Sequence, residues 1–159
     1  MNQGLSMKTA LFAIAVACIA LPAIGRESEL CRSLKSFVES VKPDETRTIE
    51  FHTSWGTGFK GSSKWAMFEK RCIHEEYPAA VNACDLLMEH GAVEFSSQNF
   101  SDVLSCLSPK TRISPEVRVE VAEVSFPRGT HDRGAHINLA FGWNEDIGGM
   151  SLKIQADGY

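Results

Sequence analysis

The sequence predicts an α+β domain: an antiparallel sheet of about four strands, one early and three in a C-terminal meander, packed on a disulfide-stapled helical layer. Three observations predict it. Apolar residues recur at helical spacing in three stretches between Glu27 and Leu107. Apolar and polar residues alternate with period two in Thr46–Trp55 and again after Pro115. Cys31, Cys72, Cys84 and Cys106 fall in or beside the helical stretches, an even set that reads as two disulfides in an exported domain.

Export is predicted from residues 1–25, which read as a bacterial signal peptide. Lys8 is the only charge before Arg26, an apolar run from Ala10 to Leu21 follows it, and Pro22 breaks the run. Ala23-Ile24-Gly25 then offers small residues at a cleavage site. The run is too short for a spanning helix of about 20 residues, so no transmembrane segment is expected. Ala15-Val16-Ala17-Cys18 is a loose match to a lipidation site, which makes anchoring at Cys18 the alternative to simple cleavage. Residues 26–159 form one domain with one core, in the periplasm or secreted.

Leu30, Leu34, Phe37, Val38 and Val41 share a helix face, and Lys42-Pro43 ends that helix because the residue before proline avoids the α region. Ile49, Phe51, Thr53 and Trp55 then point to one face of a strand, with Thr48, Glu50, His52 and Ser54 on the other. A Gly/Ser-rich loop, Gly56–Ser63, leads into a short helix expected to about Arg71 from the spacing of Trp65, Phe68 and Cys72. Pro78 suits a first helical position, and Ala80, Val81, Cys84, Leu87 and Met88 form a stripe that stops at Gly91. Phe100, Val103, Leu104 and Leu107 form the next, with Asn99 or Ser97 as its cap. Strands are expected from Val117 to Phe126 with a bulge near Ala122, around Ile137–Phe141, and around Met150–Ala156.

The cysteine pairing follows from assuming that the two central helices form an antiparallel hairpin. Cys84 and Cys106 then lie at similar heights, which favours Cys84–Cys106 with Cys31–Cys72. Cys72–Cys84 with Cys31–Cys106 is the second choice.

No residue set fixes a catalytic chemistry. G-x-S-x-G and H-E-x-x-H are absent, and the cysteines are expected to be oxidised, which leaves no thiolate nucleophile or metal ligand. Carboxylate pairs exist only in three dimensions, so an enzyme is disfavoured but open. Gly56-Thr57-Gly58-Phe59-Lys60-Gly61 is formally G-x-G-x-x-G, yet no βαβ unit surrounds it, and no cofactor is expected. No basic cluster interleaves with aromatics, which argues against nucleic acid. The net charge of −4 suits solubility and basic partners.

Two stretches remain as a candidate binding surface. Trp55, Phe59, Lys60 and Trp65 surround the glycine loop, where the competing reading is the edge of the core. His131, Asp132 and Arg133 sit in the first meander turn, where it is a solvated turn. The expected function is therefore a non-catalytic exported binding protein, an inhibitor or immunity protein acting on a partner protein. The alternatives are a small-ligand binder or hydrolase with its pocket between sheet and helices, and a structural envelope lipoprotein.

Overall fold

A computed structural model describes residues 27–159, apart from Lys64 and Pro115. The expected signal peptide and the lipidation alternative at Cys18 lie outside the described residues. The elements in chain order are α1 (Glu29–Ser40), β1 (Thr46–Trp55), β2 (Phe68–Ile73), α2 (Pro78–His90), α3 (Ser97–Leu107), β3 (Ala122–Gly129), β4 (Gly134–Asn144) and β5 (Gly149–Gly158). The expected α+β class holds, with five strands rather than four. They form one antiparallel sheet in the order β2-β1-β5-β4-β3.

Each helix begins and ends for a local reason. Ser28 caps α1, its hydroxyl accepting from the Cys31 N–H at 3.2 Å, with Glu29 in the positive first turn. Pro78 occupies the first turn of α2, where its missing N–H costs nothing. At the other end of α2, Lys70 of β2 reaches across to donate to the Met88 and Glu89 carbonyls at 2.9 and 3.5 Å. That cation at the negative helix end ties α2 to the edge of the sheet. Asn99 does not cap α3. It is buried, and its carboxamide accepts from the Ala92 N–H and donates to the Ala92 carbonyl, both at 2.7 Å.

One face of the sheet carries the core. Ile49 pairs with Ile154, which pairs with Leu139, which pairs with Val124; Phe51, Leu152, Phe141 and Ala122 form the next row. Against these pack Leu34 and Phe37 of α1, Ala80, Ala83 and Leu87 of α2, and Phe100, Val103 and Leu107 of α3, all nearly inaccessible. Burying a Leu, Ile or Phe stabilises by about 2 kcal/mol, so these rows anchor the helical layer. The Phe100 and Phe141 rings lie 5.9 Å apart.

Three expectations are corrected. The helix expected up to Arg71 is instead β2. Phe68 and Cys72 fit a strand period as well as a helical one, and pairing with the ten-residue β1 decides between them. The strand expected from Val117 begins only at Ala122, so the change of phase there is a strand boundary and not a bulge. The disulfides are Cys31–Cys106 and Cys72–Cys84, with Cα separations of 4.9 and 5.6 Å, in place of the favoured pairing. The reason is the order of the helices. α1 packs against both α2 and α3, which barely touch each other, so no central hairpin forms. Cys72 faces the helical side of the sheet opposite Phe51 and meets Cys84 of α2 there. Two disulfides fit an oxidising, extracellular or secreted setting, and no helix among the described residues is long and apolar enough to cross a membrane.

Candidate functional site

The helix-facing side of the sheet is longer than the layer that covers it. Beyond the Phe51 row come Thr53, Met150 and Trp143 in register, then Trp55 opposite Phe68. Trp55 is 52% exposed, Phe68 58% and Trp143 57%. This bare end of the sheet forms one wall of a cleft of about 1100 Å³. The second wall is the α2–α3 link, Val93–Ser96, with the outer face of α3. The third is the irregular segment around Ile113 and Glu116–Val121, which belongs to no strand.

Local chemistry positions each wall. The Asn99 carboxamide holds Ala92, which sets where Val93, Glu94 and Phe95 run. Phe95 and Val117 project from the walls largely exposed, whereas the Val121 side chain lies on the other face of the sheet, beside Gly142. Four carboxylates line the cleft, Glu94, Asp102, Glu116 and Glu120, against the single guanidinium of Arg118, which lies 4.0 Å from Glu120. The Gln98 amide donates to Asp102 at 2.7 Å. Thr53 and Ser96 are buried residues of the lining.

The residues singled out from the sequence fall in three separate places. Trp55 lines the cleft. Trp65 is exposed in the β1–β2 loop, outside the cleft lining. Phe59 is buried, because the glycine loop folds back over the opposite, polar face of the sheet. There its ring meets His52 edge-on at 6.4 Å, Arg71 lies 4.9 Å from its centroid, and its N–H donates to Glu69 at 2.8 Å. Lys60 secures the same loop, its N–H donating to the Ile147 carbonyl and its ammonium to the Glu145 carbonyl. Gly56 and Gly61 take φ of +84° and +80°, so these glycines make the turns of a strap. His131, Asp132 and Arg133 stand exposed at the far end of the sheet, beside the chain terminus, where the Gly134 N–H donates to the Tyr159 carbonyl at 3.1 Å. Arg133 borders a smaller hollow of about 470 Å³ there with Glu39 and Arg128.

His52 is the buried ionisable group of the polar face. Glu50 lies 3.5 Å from Nε2, without the geometry of a hydrogen bond, and neither ring nitrogen has a partner among the described residues. Burial pushes its pKa below the ordinary histidine value, with Glu50 opposing that and Arg71 adding to it. The imidazole is therefore neutral at pH 7. Among the described residues, no group of three or more His, Cys, Asp or Glu side chains is placed to hold a metal ion.

Phe95, Trp143, Val121 and the four carboxylates were not singled out from the sequence. One signal for Trp143 was present, since it continues the inward parity of Ile137, Leu139 and Phe141 to the very edge of a turn. No family model, curated protein or solved structure matches the chain. The fold and the cleft define a class only in physical terms: a doubly stapled α+β domain with an aromatic, acidic cleft at one end of its sheet.

Proposed function

We propose that this is an exported, non-catalytic binding protein, delivered to the periplasm or beyond by a cleaved signal peptide, and that its ligand is another protein. The natural partner is a basic hydrolase that it inhibits or to which it confers immunity. One observation carries the reading: large exposed apolar side chains converge on a single cleft whose charged lining is mostly acidic. Contiguous exposed apolar surface of this kind marks interaction sites, and Trp is among the residues enriched at binding hot spots. The space between sheet and helices is filled by the core, so a ligand meets the protein at the end of the sheet.

Affinity capture from envelope extracts, at low and moderate salt, tests the proposal. The wild-type domain is expected to retain a discrete protein partner that a Trp55→Ala/Trp143→Ala variant loses. A wild-type domain that retains nothing at either salt, or a variant that retains the same partner equally well, overturns it.

A further inference from the structure

Resting on that reading, we infer that the cleft receives an arginine-bearing loop of the partner, with a guanidinium seated between Trp55 and Trp143. Both tryptophans stand on the helix-facing side of the sheet, two strands apart and offset by two residues. Strand spacing and rise place their Cα atoms about 12 Å apart, a span that one long side chain can bridge. A cation stacks favourably on an indole face, and arginine does so more often than lysine.

Charge selects the same occupant. Glu94, Asp102, Glu116 and Glu120 line the cleft, and Arg118 beside Glu120 offsets only one of them. An entering cation relieves the repulsion among these carboxylates, whereas an acidic segment would add to it. The second, independent observation is polar and neutral. Thr53 and Ser96 are 2% and 8% exposed, and both line the cleft. A planar guanidinium with five donors meets such a mixed wall of carboxylates and hydroxyls better than an ammonium does.

The test uses the folded domain carrying Trp65→Phe, so that Trp55 and Trp143 report by fluorescence. The probe is a blocked nine-residue Gly/Ser peptide with two central arginines, titrated beside analogues in which lysine or glutamine replaces them. The arginine peptide is expected to bind at least about 5-fold tighter than the lysine peptide and more than about 20-fold tighter than the glutamine peptide. Either Trp55→Ala or Trp143→Ala should weaken it by about 10-fold, Asp102→Asn with Glu116→Gln should weaken it and flatten its salt dependence, and unchanged thermal midpoints certify the fold. Equal affinity for the glutamine peptide, or no binding of the arginine peptide at millimolar concentration, overturns the inference. If that failure occurs while partner capture still depends on Trp55 and Trp143, the binding function stands and only the arginine assignment falls. If capture fails as well, both fall.

Discussion

Protonating His52 places a charge beneath Phe59, close to Arg71 and with only Glu50 in compensation. Its pKa in the folded protein lies below the ordinary value near 6.5, so the unfolded chain takes up this proton first. Stability is then complete above about pH 6.5 and declines as the pH falls from there through the folded value. Urea unfolding midpoints measured from pH 8 to pH 5 should show that decline, and His52→Gln should remove its part of it. A second residue acts through geometry alone. Truncating Asn99 breaks two buried hydrogen bonds and strands both polar groups of Ala92. Asn99→Ala should therefore cost about 3 kcal/mol in denaturant titration, and it should also loosen the wall that carries Phe95. Asn99-Phe100-Ser101 reads as a glycosylation sequon in the sequence, yet the carboxamide is enclosed and engaged. Nothing local reveals that, because its partner is seven residues away across a turn.

At the scale of elements, the two disulfides do unequal work. Cys31–Cys106 closes 75 residues and Cys72–Cys84 closes 12, which the chain-entropy relation converts to about 4.5 and about 3 kcal/mol. The Cys31→Ala/Cys106→Ala variant should lose more thermal stability than Cys72→Ala/Cys84→Ala, as read by calorimetry under oxidising conditions. The helices and the strands β1, β4 and β5 were legible because each shows a sustained period and clear punctuation, such as Lys42-Pro43 or Pro78. β2 was not. Its short apolar set fits either period, and its strand character comes from Phe51 and Trp55 on a neighbour that a local window does not contain. The cysteine pairing was misread for the same kind of reason, since it depends on α1 lying between α2 and α3. Spacing along one helix is silent on the order of three.

For the whole molecule, the two faces of the sheet have different tasks. One is covered by helices and, at its uncovered end, opens into the cleft; the other is polar and strapped by the glycine loop. The parts of the candidate site come from the sheet end, the α2–α3 link and the segment before β3, which are far apart in sequence. Of these, the sequence reveals only Trp55, as an aromatic beside glycines. Phe59 stands beside glycines too, yet it is interior. Because Trp55 and Trp143 are exposed on a wall already built by other residues, replacing both with alanine should shift the thermal midpoint by no more than a few degrees. A calorimetric scan can separate that outcome from a loss of fold.

The last strand in the chain, β5, lies in the middle of the sheet, between β1 and β4. A polypeptide threaded N-terminus first, through a ribosome or a translocon, therefore holds β1 with one side unfilled until Gly149–Gly158 emerges. Among the described residues, the hairpins β1–β2 and β3–β4 are the only sheet fragments available before then. Two hairpins without their shared centre cannot bury Ile49, Leu139 and their neighbours on a common surface. Chains ended before Gly149 should remain protease-sensitive, and full-length chains should become resistant in one step. The topology thus supplies the central strand last, so the sheet can close only when β5 joins β1 to β4.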